Sequence, residues 1–370
     1  MVFDGLMLKD FGAKVYRLIK GKSLTREEVR EMMKQTLLNE QPDLHQGAFL
    51  AAITAKDSTP EEIAGCWEAV YEYDTVKVTP NVSGPLVENC GTGMDDIKTF
   101  NISTAAAVVG AAGGVYMAKH GARAITSKCG AVDIAEALGV DVECNPELVE
   151  KSIENAGIGL FNGMSLKIHS KMARILAQIR FGSILNISAS LANPALPPYG
   201  VRGVYSKDLV VLVAKAMKEI GYERALVFCG LNGDQTKVID EISTLGETFI
   251  AEISEKNGIS TYTITPEEFM IKRCDEAAIL STGDVEKESL SLLRILSGKD
   301  KGPRFEILCL NVAPILYITG KAKSLGEGYK MAKEIIDSGK AIDKLREWLK
   351  EQNSDPDKAE KRLEKLLENA

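Results

Sequence analysis

The chain is poor in the residues that build most metal and redox centres. Only three histidines occur, at 45, 120 and 169, and the seven cysteines are scattered with no C-x-x-C pair. That spacing excludes the usual zinc and dithiol motifs and, in a large chain, suits reduced thiols in a cytoplasm. There is no basic excess: 45 Lys+Arg face 52 Asp+Glu, a net charge of −7, which argues against a general nucleic-acid binder. Long apolar runs are missing too. The longest, from Ala105 to Ala118, holds three glycines and falls short of the ~20 residues a bilayer requires, so no membrane span is expected. The first residues lack the charged and apolar regions of a signal peptide.

What is present is an ordinary globular composition, 45% apolar and 26% charged, long enough for two domains. Its 32 glycines are unevenly placed, with twelve between Gly84 and Gly163. Residues 1 to about 75 read as helices only. Thr25-x-x-Glu28 and Thr59-x-x-Glu62 are capping boxes, the second with Pro60 at its first helical position. From about residue 85, short apolar runs at 86–87, 115–117, 158–161 and 225–228 alternate with helical patterns at 103–112, 131–138, 146–156 and 208–220. Such alternation predicts an α/β domain with a mostly parallel sheet covered by helices, behind a small all-helical domain. Residues 286–350 return to helix, and the charged tail from about 351 reads as a loosely attached helix. The expected division is 1–75, with later helices near 170–185 joining it, then 76–350, then the tail 351–370.

The segment from Cys90 to Thr104 follows a strand and enters a helix. Gly91 and Gly93 let backbone N–H groups approach an anion, Thr92, Asn101, Ser103 and Thr104 add donors, and the helix N-terminus favours negative charge. Asp95 and Asp96 conflict with a bare phosphate unless a cation lies between, which a magnesium-complexed polyphosphate supplies. The loop is neither a Walker A loop nor G-x-G-x-x-G. Lys119-His120-Gly121-Ala122-Arg123 and Ser127-Lys128-Cys129-Gly130-Ala131 offer further anion donors after a second strand, at the edge where α/β sheets bind ligands. Asp240-Glu241 is a carboxylate pair suited to magnesium.

At these residues the chain resembles the anthranilate phosphoribosyltransferase family, relatives of the pyrimidine nucleoside phosphorylases. The family's Gly-Thr-Gly-Gly-Asp, Asn-x-Ser-Thr, Lys-His-Gly-Asn-Arg and Asp-Glu appear in order as Gly91–Asp95, Asn101–Thr104, Lys119–Arg123 and Asp240-Glu241. The resemblance implies magnesium-dependent transfer of a phosphoribosyl group from phosphoribosyl pyrophosphate to a nitrogen of a small aromatic or heterocyclic acceptor, in a cleft between the two domains. It implies that Gly91, Thr92, Gly93, Asn101, Ser103, Thr104 and Lys119 hold the donor, with Asp95 and Gly121 also binding substrate, and that Ser103, Asp240 and Glu241 hold Mg2+. His120 and Arg123 are candidates at the reacting centre; His169 and Arg174 are candidates for the acceptor. A homodimer through the N-terminal helices is also implied.

The chain departs from the family pattern at Met94, Ala122, Cys129, Ala131, and across His169–Leu191, where about three residues are missing between His169 and Asn186. Arg174 and Arg180 lie in that stretch. The departures imply a divergent member whose acceptor site is altered. A nucleoside phosphorylase and a non-catalytic ligand- or nucleic-acid-binding homologue are the alternatives on this scaffold.

Overall fold

The computed structural model describes residues 4–124, 129–179, 181–256 and 258–370. The chain begins with four helices, α1 (Gly5–Ile19), α2 (Arg26–Leu37), α3 (Asp43–Ala55) and α4 (Pro60–Tyr73). Both predicted capping boxes form: Thr25 accepts from the Glu28 N–H and Thr59 from the Glu62 N–H, each glutamate returning to the threonine N–H.

The α/β part follows as β1 (Leu86–Gly91), α5 (Ile102–Ala112), β2 (Tyr116–Gly121), α6 (Ala131–Leu138), α7 (Pro146–Ala156) and β3 (Ile158–Asn162). Two short helices, α8 (Met172–Gln178) and α9 (Leu185–Ser188), precede β4 (Tyr199–Gly203), α10 (Lys207–Ile220) and β5 (Arg224–Leu231). Then come β6 (Val238–Ile239), β7 (Thr248–Ser254), β8 (Gly258–Ile264), and helices α11 (Val285–Leu296), α12 (Pro303–Ile318), α13 (Leu325–Asp337), α14 (Lys340–Glu351) and α15 (Pro356–Asn369). The strands run in the order β3-β2-β1-β4-β5-β7-β8, with β6 also on β5. From β3 to β5 all pairs are parallel; β6, β7 and β8 join antiparallel. A mostly parallel sheet is therefore what forms, as the alternation predicts. The antiparallel extension goes beyond the runs read from sequence, because β8 is largely exposed and lacks an apolar run.

The side-chain period of two assigns each strand to two cores. On β5, Leu226 and Phe228 join the cluster under α5, α12 and α14, whereas Ala225, Val227 and Cys229 join the cluster shared by α10 and the N-terminal helices. Met172 and Ile175 of α8 and Leu185 and Ile187 of α9 belong to that second cluster. The sheet face and the N-terminal bundle are thus packed as one body of apolar side chains.

The expectation of a loosely attached tail is corrected. On α15, Leu363 is fully buried and Ala359 nearly so. Gln352, just before it, is buried and accepts from the Leu160 N–H at 2.9 Å while donating to the Leu160 carbonyl at 2.9 Å. Leu160 lies on the edge strand β3, so one amide side chain satisfies backbone groups that would otherwise be open to a foreign strand. A charged composition described the outer face of this helix and concealed its inner one.

Candidate functional site: an anion-binding crevice at the sheet switch point

The strand order reverses between β1 and β4, one leading to β2 and β3 and the other to β5. In a parallel sheet this leaves a crevice beyond the carboxyl ends of the two strands. Here those ends are Gly91 and Gly203, paired in register. Both must be glycine because Asp240 fills the space between them. A Cβ on Gly91 would lie 2.0 Å from Asp240 Oδ2, and one on Gly203 would lie 1.6 Å from the Asp240 carbonyl oxygen. Gly203 was not singled out from the sequence; its Gly-x-x-Gly surroundings at 200–203 are the signal that could have found it.

Three carboxylates converge there. The Gly93 N–H donates to Asp240 Oδ2 at 2.8 Å, and Asp95 sits beside Asp240 with Lys98 Nζ 2.9 Å from its Oδ1. Burial, then the charge of Asp95, pushes the Asp240 carboxyl up to about 7. Burial and the Asp240 charge raise Glu241 well above the usual carboxylate range, against the pull of Lys119 and the Ser103 N–H. The crevice is short of positive charge, and a hard cation shared with phosphate oxygens would relieve it. Among the described residues no cluster of three protein side chains forms a complete metal cage. Asp96 faces elsewhere, accepting from the Val238 N–H at 3.0 Å and tying the loop to β6.

Lys119, on β2, is 1% exposed. Its Nζ donates to Asn89 O and Ser103 Oγ, both at 3.1 Å, and burial holds its pKa below the usual lysine value. The ammonium is thus delivered beneath the start of α5. Asn101 precedes that helix without capping it; its amide donates to the Cys129 carbonyl at 3.3 Å.

Gly91, Thr92, Gly93, Asp95, Asn101, Ser103, Lys119, His120, Gly121, Arg123, Asp240 and Glu241 all line one cavity of about 560 Å³. Three predicted site residues do not. Thr104 is fully buried with its hydroxyl unpartnered, because one residue further round α5 points away from the Ser103 face. His169 lies behind His120, Nε2 to Nε2 at 3.2 Å. Arg174 is corrected most sharply: its guanidinium reaches Thr36 O at 2.7 Å and Gln46 Oε1 at 2.8 Å, joining α8 to the N-terminal helices away from the cavity. Arg123 reaches the wall, but Glu136 at 2.7 Å, with Asp133 and Glu143 at 3.3 Å, already holds its guanidinium. Ser127, Lys128 and Arg180 lie outside the described residues.

The other half of the cavity is apolar: Met94, Met164, Met172, Leu176, Leu185 and Ala189, with Asn186 and Ser190 as neutral polar groups. Ser281, Thr282 and Gly283 close one side; their Ser-Thr-Gly turn ahead of the Asp284 cap of α11 was a legible loop without a ligand signal. Burial lowers His120 to about 3 and His169 to about 4, so both imidazoles are neutral near pH 7. Met94 has φ +68°, a left-handed conformation that costs a non-glycine residue on the order of 1 kcal/mol. Sequence comparison within the resemblance placed a glycine here, and the backbone shows why.

A helical bundle beside an α/β domain, with a donor-rich, cation-demanding crevice between β1 and β4, defines a glycosyl transferase of the phosphate-binding kind. Residues 15–73 match the family model for the glycosyl transferase helical bundle domain, and residues 83–342 match that for its a/b domain. The anthranilate phosphoribosyltransferase of Methanococcoides burtonii is 40% identical over 90% of this chain and 91% of its own length. That of Acetivibrio thermocellus is 37% identical, covering 92% and 96%. The crystal structure of the Thermus thermophilus enzyme superposes with a TM-score of 0.81 at 34% identity, over 90% of this chain and 98% of that one. The chain belongs to the anthranilate phosphoribosyltransferase family. The fold is also that of the Saccharomyces cerevisiae enzyme in complex with phosphoribosyl pyrophosphate and Mg (TM-score 0.79, 24% identity, covering 94% and 98%).

Proposed function

We propose that the protein transfers the 5-phosphoribosyl group of phosphoribosyl pyrophosphate to the nitrogen of a small aromatic acceptor, with magnesium. The observation that carries this reading is the crowding of Asp95, Asp240 and Glu241 beneath a glycine loop, opposite a buried lysine. Asn101, Ser103 and Lys119 hold the donor's phosphates beside the glycine loop, whose Thr92 and Gly93 N–H groups are bonded to the Gly203 carbonyl and Asp240; Ser103, Asp240 and Glu241 hold the metal. Bound there, magnesium supplies positive charge against the pyrophosphate oxygens.

The C–O bond from the ribosyl anomeric carbon to pyrophosphate breaks and the pyrophosphate keeps the electron pair. A C–N bond forms to the acceptor amine, which loses one proton. The Lys119 ammonium acts where charge develops on the leaving group, which needs no covalent enzyme intermediate. A weakly basic aromatic amine needs little help to release its proton. Neutral His120 is placed to orient the acceptor by a hydrogen bond. The 185–190 wall and the outward turn of Arg174 support an acceptor site altered from that of anthranilate-specific relatives.

A homodimer through the N-terminal helices is part of this proposal: Leu6, Tyr16 and Ile19 on α1 and Leu44 on α3 are all more than half exposed. Solution mass at twice the chain mass is the expected result, and a monomer overturns it. The function itself is tested by calorimetric titration with phosphoribosyl pyrophosphate, with and without magnesium. Magnesium-dependent binding is expected; its absence sinks the transferase reading.

A further inference from the structure

Met94 belongs to the donor loop, yet its side chain ends on the opposite wall. A Cβ on Gly182 would lie 2.2 Å from Met94 Cε and 2.7 Å from its Sδ. The thioether therefore rests on bare backbone of the segment that joins α8 to α9, and the missing side chain at 182 makes the room. Both ends of this contact are unusual: a side chain where the backbone conformation favours glycine, and a glycine where the side chain lands.

Met94, Met164 and Met172 share the acceptor half of the cavity with Leu176 and Leu185. Met94 and Met164 remain 38% and 42% exposed, whereas Met172 is buried. Flexible, polarisable thioethers pack well on aromatic rings. The polar groups on this side are Asn186, Ser190 and the His120 imidazole. Among the described residues the cations of the wall are engaged elsewhere: Lys98 by Asp95, Lys119 at Ser103, Arg123 by Glu136. A buried carboxylate without a cationic partner is strongly disfavoured, whereas a neutral ring meets thioethers and neutral hydrogen-bonding groups.

We propose that Met94 is a specificity-determining residue, and that with Met164 and Met172 it shapes the acceptor site for a flat aromatic amine that carries no carboxylate. The inference rests on the phosphoribosyl-transfer reading. Its test uses the full chain with saturating donor and magnesium, and compares 2-aminobenzamide with anthranilate, which share ring and amine and differ in the charged group. Wild-type kcat/KM is expected to favour 2-aminobenzamide by at least ~10-fold, the scale on which a mismatched group is rejected. Met94→Gly should raise the KM for 2-aminobenzamide by about 10-fold, as loss of one apolar contact does, and leave the donor KM within about twofold. Met94→Leu, which keeps apolar volume, should restore most of the acceptor KM. Preference for anthranilate by the wild type overturns the proposal, as does a Met94→Gly effect confined to the donor KM. Failure of the donor to bind in the magnesium titration would remove the underlying reading as well, and that is visible before any acceptor is added.

Discussion

The two halves of the cavity are built on opposite physical plans. The half proposed for the donor is charged and tightly bonded: Lys119 is buried, and Asp240 and Glu241 are partly buried. The half proposed for the acceptor is soft: three methionines, two leucines and the neutral His120 imidazole line it. A pyrophosphate demands the first plan because multiple charges leaving water must meet fixed charges and donors. A small aromatic ring demands only a shaped apolar wall and a few hydrogen bonds. The donor half is therefore intolerant of change, and the acceptor half is where a chain of this family can diverge.

The largest effect expected is on the donor side. Lys119→Met keeps the stem and removes the ammonium that bridges Asn89 O and Ser103 Oγ. kcat/KM should fall on the order of 10²–10³-fold, as for removal of one preorganised oxyanion donor. Magnesium-dependent donor titration reads the loss directly; an unchanged titration would show that the two halves are not so different in demand.

A middle-sized effect concerns the neutral histidines. Their folded pKa values, about 3 and about 4, are below the ordinary value of 6.5. Between pH 6.5 and 4 these two histidines therefore bind more protons in the unfolded chain than in the folded one, so their contribution to stability is lost as pH falls through that window. The slope should reach about 1.4 kcal/mol per pH unit for each histidine. Chemical denaturation at a series of pH values measures it. The raised Asp240 and Glu241 carboxyls act with the opposite sign in the same window, so the comparison of wild type with His169→Gln is what isolates the histidine: the variant should lower the slope, and an unchanged slope would mean that His169 is not held neutral.

The smallest effect separates position in sequence from position in space. Arg174→Ala should leave acceptor KM within about twofold, because the guanidinium lies off the cavity wall. It should cost about 1–2 kcal/mol of stability from lost hydrogen bonds to Thr36 and Gln46. A large rise in acceptor KM with normal stability would return Arg174 to the site.

Legibility followed locality. The helix caps at Thr25 and Thr59 and the loop entering α5 are decided by a few adjacent residues, and all are readable. Gly91 and Gly93 were readable for the same reason. Gly203 was not, because its need for glycine comes from Asp240 approaching from another loop. The tail was misread because its charges, not Leu363 and Ala359, dominate its composition.

By itself the sequence determined the glycine loop and the lysine and carboxylates that line the cavity, the alternation that makes a mostly parallel sheet, and the family. Each follows from short-range chemistry: glycine freedom, caps, apolar periodicity, ordered motifs. Only the tertiary structure decided that Asp240 meets Gly93, 147 positions away, that Arg174 turns from the cavity, and that Met94 lands on Gly182. Those are outcomes of packing, where the partner of a side chain is chosen by what the whole fold brings beside it.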